Sequence, residues 1–117
     1  MPVRRLLLLG VLAAGCGWVP ADEQALTKFF EESRLYDTTR VADVARVVFD
    51  PRVEGVVERY TVIARHDEPI DAKRIRRQST LATRVRTNER EYDRTLLVTM
   101  ERDAAGRWMI LGYRWSN

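Results

Sequence analysis

Between residues 75 and 115 the chain alternates apolar and polar positions with a period of two, interrupted by two short polar runs. Alternation of this kind marks strands with one covered face. The first interruption, Arg86-Thr87-Asn88-Glu89-Arg90-Glu91, puts Asn88 at a turn position. A turn centred on Asn88-Glu89 sets Arg86 opposite Glu91, Arg84 opposite Asp93 and Arg76 opposite Glu101, all on one face. The other face then pairs Val85 with Tyr92, Leu81 with Leu96 and Ser79 with Val98. A slip of one residue would bring Arg86 beside Arg90 and mix the apolar and charged sets, so the pattern selects its own register.

The second interruption is Asp103-Ala104-Ala105-Gly106. Asp opens type I turns, and Gly supplies the left-handed residue that closes a four-residue loop. That loop sets Met100 against Met109, Val98 against Leu111 and Leu96 against Tyr113, with Arg94 near Trp115. The expected apolar face is therefore Leu81, Val85, Tyr92, Leu96, Val98, Met100, Met109, Leu111 and Tyr113. The opposite face carries the ion pairs and, towards the last strand, Leu97, Trp108 and Ile110.

Upstream, the period changes. Leu26, Phe29, Phe30, Ser33 and Tyr36 recur at helical spacing behind Asp22, which suits a cap, and Glu23, which suits a first turn. Asp37-Thr38-Thr39 breaks that helix and offers a new cap, and Val41, Val44, Ala45 and Val48 form the stripe of a second helix ending before Phe49-Asp50-Pro51. Residues 54–65 read as a strand, rich in β-branched and aromatic side chains, and His66-Asp67-Glu68-Pro69 as the loop that closes it. Residues 70–74 fit either a turn or the start of the next strand. The sum is an α+β fold: two N-terminal helices packed on a curved, about four-stranded antiparallel sheet.

Composition adds the compartment. The chain of 117 residues is one domain, and 45% hydrophobic content with ten aromatics suffices for a small core. Met1-Pro2-Val3-Arg4-Arg5 is a basic start, residues 6–14 are apolar, and Leu12-Ala13-Ala14-Gly15-Cys16 resembles a bacterial lipobox. The resemblance implies cleavage before Cys16, a diacylglycerol on its thiol and acylation of the new amine. Each acyl chain adds about 0.8 kcal/mol per buried methylene, so more than one chain anchors stably. Gly17, not Asp, follows the cysteine, which by the same resemblance favours the outer membrane of a diderm bacterium. Two other fates compete: a retained membrane helix, for which residues 6–19 fall short of the roughly 20 needed, and an ordinary secretory signal cut after Val19-Pro20-Ala21, which would discard Cys16. The expected organisation is a lipoprotein signal peptide over 1–15, a lipidated tether over 16–21 and the folded domain over 22–117.

Without Arg4 and Arg5 there remain 18 basic and 17 acidic residues, scattered among one another. A nucleic-acid partner would need a basic stripe, and none is present. With Cys16 acylated there is no thiol for a disulfide or for catalysis. One histidine, no Gly-rich phosphate loop and no Ser elbow leave metal, cofactor and nucleophilic chemistry without their usual residues. His66 beside Asp67 is the one acid-base pair to consider, against the simpler reading of a solvated loop.

The closing stretch Asp-Ala-Ala-Gly-Arg-Trp-Met-Ile-Leu-Gly-Tyr, with Gly106, Trp108, Gly112 and Tyr113, resembles the final hairpin of bacterial members of the nuclear transport factor 2-like superfamily, a cystatin-like cone. The stretch from Val48-Phe49-Asp50-Pro51 to Gly55 resembles the loop that leads from helices to sheet in such proteins, and the likeness spans about residues 22–115. A third helix usual in the family is missing or reduced. The resemblance implies a sheet curled around its helices, with a hollow that Tyr60, Tyr92, Tyr113 and Trp115 could line and that Arg77 or Arg94 could reach. Either these groups meet an apolar or anionic small molecule, or the aromatics fill the core and the arginines lie along its rim. Because family members associate through the outer sheet face, Leu97, Trp108 and Ile110 are the expected contact with a second copy or an envelope partner. The function expected is thus that of a membrane-anchored, non-enzymatic interaction domain, with ligand binding in the hollow as the alternative.

Overall fold

The computed structural model describes residues 18–116, so Cys16 and the leader lie outside the described residues. Among the described residues three helices precede four strands: α1 (Ala21–Arg34), α2 (Thr38–Val41), α3 (Pro51–Glu54), β1 (Val56–Pro69), β2 (Ile75–Arg86), β3 (Glu91–Arg102) and β4 (Trp108–Ser116). The strands form one antiparallel meander in the order β1-β2-β3-β4. α1 lies across one face of it, because Leu26, Phe29, Phe30 and Ser33 fall on a single side of the helix and are all buried. Burial of a side chain such as Phe29 contributes about 1.5–3 kcal/mol.

The β2–β3 register is the one the charge pattern selects: Arg86 faces Glu91, Arg84 faces Asp93, Arg76 faces Glu101 and Leu81 faces Leu96. Arg84 and Asp93 close to 3.0 Å and Arg76 and Glu101 to 2.8 Å. Arg86 instead turns to Glu58 on β1, which leaves Glu91 to Arg84.

β4 departs from expectation twice. The turn spans five residues, because the Asp103 carboxylate accepts from the backbone N–H of both Ala105 and Arg107 and the Asp103 N–H bonds back to the Arg107 carbonyl. The extra residue moves the register by one, so Arg102 faces Trp108 and Met100 faces Ile110. A one-residue shift turns every side chain over. Trp108 and Ile110 therefore join the buried core instead of the outer face, and Met109 is displaced from it. A bulge at Leu111 then restores the parity, and Val98 faces Tyr113 and Leu96 faces Trp115.

The second helix is reduced to one turn, α2, whose cap is the Asp37 carboxylate bonded to the Arg40 N–H at 3.1 Å. Beyond it the chain turns and then touches the free edge of β4 through a single parallel bridge, Ala45 to Ile110. The Ile110 N–H donates to the Val44 carbonyl at 2.7 Å and the Arg46 N–H to the Ile110 carbonyl at 2.8 Å. An open strand edge offers these backbone groups partners that a short isolated helix would have to find in itself. Val41 and Ala45 are buried as the stripe expects, although only Val41 is helical. Residues 66–69 also depart from expectation: they continue β1, opposite Ile75 to Gln78, and the turn falls at residues 70–74. Asp22 does not cap α1. It sits one residue inside a helix whose cap position is Pro20, and its side chain reaches the sheet.

Candidate functional site

The covered face was the expected hollow. Its middle is occupied by Phe29 and Phe30 of α1 and by Phe49 from the segment before α3, in tilted or edge-on contact with one another at 5.4 to 5.9 Å between ring centroids. Tyr60 packs on Phe30, and Tyr113 and Trp115 pack on Phe49. The Tyr60 hydroxyl donates to the Glu23 carbonyl at 2.9 Å and shares a 2.7 Å hydrogen bond with Thr27, and burial pushes its ionisation up. The polar tips of Tyr60, Tyr113 and Trp115 each have a protein partner, as buried tyrosines and tryptophans require.

The six expected hollow residues are therefore not one constellation. Tyr113, Trp115 and Arg94 stand together at one end. The Glu54 carboxylate accepts the Tyr113 hydroxyl at 2.9 Å and the Trp115 indole N–H at 2.8 Å. Burial, reinforced by Glu54, pushes the Tyr113 hydroxyl up to about 12. Arg94 lies over the Trp115 ring at 4.2 Å, with no carboxylate within 4.0 Å among the described residues. Tyr92 stands apart under Arg90, and Tyr60 shares a row with Thr83 and Arg94 but turns to Phe30 and α1.

Arg77 belongs to the other end, where it meets the partner that a charge on the apolar face demands, in a cluster whose carboxylates the sequence pattern does not point to. Its guanidinium holds Asp67 through two hydrogen bonds of 2.6 and 2.8 Å, reaches Asp22 at 3.0 Å and covers the Trp108 ring at 4.6 Å. Arg65 joins from β1, at 2.8 Å from Asp22 and 2.6 Å from Glu23. Asp22 is 2% exposed. Burial alone would raise its carboxyl, but the hydrogen bonds and charges of Arg65 and Arg77 hold it below the usual carboxylate range. The cluster fixes α1 to the distal half of the β1–β2 hairpin.

His66 and Asp67 are neighbours on β1, so their side chains point to opposite faces. His66 is exposed opposite Gln78, and Asp67 is taken by Arg77. Among the described residues, no three His, Cys, Asp or Glu side chains gather as a metal site would need.

The second sheet face remains. Every buried strand residue lies on the first. On the second, registry lines up rows across all four strands: Thr61, Ala82, Thr95 and Ser116, then Ala64, Thr80, Leu97 and Arg114, then His66, Gln78, Thr99 and Gly112. Its middle is small and hydroxyl-bearing. Ion pairs close both ends, Arg84 with Glu91 and Asp93 at one and Arg76 with Glu101 at the other. Beside Arg59, Arg84 and Asp93 lies a shallow depression of 330 Å³. Of the three residues expected on this face, Leu97 alone is there. No family model matches the chain, and no curated protein or solved structure matches it.

Proposed function

We propose that the chain is a lipid-anchored, non-enzymatic interaction domain of the bacterial envelope: a small nuclear transport factor 2-like body, held at the membrane through Cys16, that meets a partner protein or a second copy of itself through the free face of its sheet. The division between the two faces carries this reading. One face is filled by Phe29, Phe30 and Phe49, and the other presents Thr, Ala and Leu97, with Arg114 beside Leu97 on β4, between two bands of ion pairs. Small side chains let a facing sheet approach to about 10 Å, and bands of mixed sign at the ends favour one register over others. Gly17 after the lipidated cysteine supports the periplasmic side of the outer membrane in a diderm bacterium.

Sedimentation and crosslinking of the acylated protein test the face. With Thr95→Arg or Leu97→Arg at its centre, the expected outcome is a folded monomer that captures no partner. Association unaltered by both substitutions counts against the face. A second reading rests on Arg94, which stacks on Trp115 more closely than Arg90 on Tyr92 or Arg102 on Trp108 and has no carboxylate partner among the described residues: an anionic small molecule at the Trp115 end of the covered face. A co-purifying anion that disappears in Arg94→Ala would favour it.

A further inference from the structure

Among the large apolar side chains that stay in water, Trp18 is the most exposed at 86%, and Val19 beside it is 46% exposed. Among the described residues Trp18 is almost uncovered, while Val19 is half covered beside Gln24, Thr27 and Glu31 of α1. α1 begins at Ala21, and the Gln24 side-chain amide donates to the Val19 carbonyl at 2.8 Å, which ties the segment to the first turn of the helix.

We infer that Trp18 and Val19 form a second, non-covalent contact with the lipid surface, the indole lying at headgroup depth. The inference rests on the acylation of Cys16 proposed above. Trp18 is two residues from Cys16, and a chain extends at most about 3.6 Å per residue, so its Cα lies within about 7 Å of the acylated residue. The headgroup region on each side of the hydrocarbon is about 5–7 Å thick. The tether therefore holds Trp18 in or against that layer whatever direction it takes. An indole favours that layer, because its apolar body leaves water while its N–H keeps polar partners.

A consequence for the body follows. Ala21 is within about 18 Å of the acylated residue, and the 14 residues of α1 carry its other end about 21 Å further along the helix axis. The tether therefore keeps the N-terminal end of α1, with the Asp22, Arg65 and Arg77 cluster, within about 18 Å of the acylated residue. No basic patch is needed for this contact, so it does not weaken with salt as an electrostatic one would.

The test uses the acylated full-length protein in vesicles of phosphatidylethanolamine and phosphatidylglycerol, with and without brominated phosphatidylcholine. Trp108 and Trp115 are fluorescent too, so Trp18→Phe supplies their share of the signal. The wild type is expected to show bromolipid quenching and a blue-shifted emission component that are both lost in Trp18→Phe and unchanged in 0.5 M NaCl. Equal quenching of wild type and Trp18→Phe, or an emission component of Trp18 typical of water, overturns the inference and leaves the anchor in place. A protein partner covering Trp18 would give the blue shift without the bromolipid quenching, and that also overturns it. Mass spectrometry of the same preparation separates the two claims: an unmodified Cys16 removes the anchor and, with it, this contact.

Discussion

Asp22 and Arg77, 55 residues apart in the chain, meet at 3.0 Å, and the same guanidinium covers the Trp108 ring at 4.6 Å. Asp22 has two cations and almost no water. Removing its charge leaves Arg65 and Arg77 under-satisfied. Asp22→Asn is expected to lower stability by about 2–4 kcal/mol in urea unfolding, less than for a fully buried pair because Arg65 is partly solvated.

The same group sets a pH dependence. The Asp22 carboxyl is lowered in the folded state, as is Asp67, held by Arg77. The unfolded chain therefore takes up these protons first as pH falls, starting near the ordinary carboxylate value of about 3.9. The stabilisation is complete well above that value and is lost as pH drops through it towards the lowered folded values. Urea midpoints between pH 7 and pH 2 should fall more steeply in the wild type than in Asp22→Asn.

Gly55 ends α3 at φ +90°, ψ 170°, a region almost confined to glycine, and a Cβ there would lie 2.6 Å from Val85 Cγ1. Gly106 has φ +86° with open space around it. Gly55→Ala is expected to cost about 2–4 kcal/mol, from strain and from displacement of a core valine. Gly106→Ala should cost about 1 kcal/mol, from backbone conformation alone. Equal losses in thermal unfolding would contradict the contact at Gly55.

Glu54 holds two aromatic tips at once. Glu54→Ala should destabilise by about 2 kcal/mol and bring the Tyr113 ionisation down from about 12 towards the ordinary tyrosine value, with burial retaining part of the rise. Ultraviolet titration of the phenolate reads this directly. In the wild type the unfolded chain releases the Tyr113 proton near the ordinary value of about 10, and the folded chain holds it to about 12. Stability should accordingly fall as pH rises through that window.

Trp108 is core, 8% exposed, on the covered face. Trp108→Ala should cost about 3–5 kcal/mol in stability. Any loss of association in that variant reports unfolding, and Leu97→Arg is the substitution that reads the free face.

The sequence carried the central hairpin almost completely. Three oppositely charged pairs on one face and the pairs Val85–Tyr92 and Leu81–Leu96 on the other agree on one β2–β3 register, and a slip would break all of them together. β4 departs from its pattern because the decisive interaction is a side chain bonded to its own loop: Asp103 turns a four-residue loop into one of five, and the resulting shift carries Trp108 and Ile110 inward. The second helix yielded to an edge that exists only once β4 is folded, where Val44 and Arg46 find the backbone of Ile110. Arg77 was legible as a charge on an apolar face, a position that demands a partner. Its partners, Asp22 and Asp67, were not, because a cap position and a run ending in Pro69 carry no sign that their carboxylates reach the sheet face. The free face was legible only in outline, since its content depends on that shift of β4.

Metabolic labelling with palmitate in bacteria expressing the full chain tests the central claim most directly. Label should enter the protein, disappear in Cys16→Ser, and accompany its recovery in the membrane fraction. A Cys16-containing protein left unlabelled beside a labelled known lipoprotein would contradict the anchor, and the placement of this sheet face at an envelope surface would fall with it.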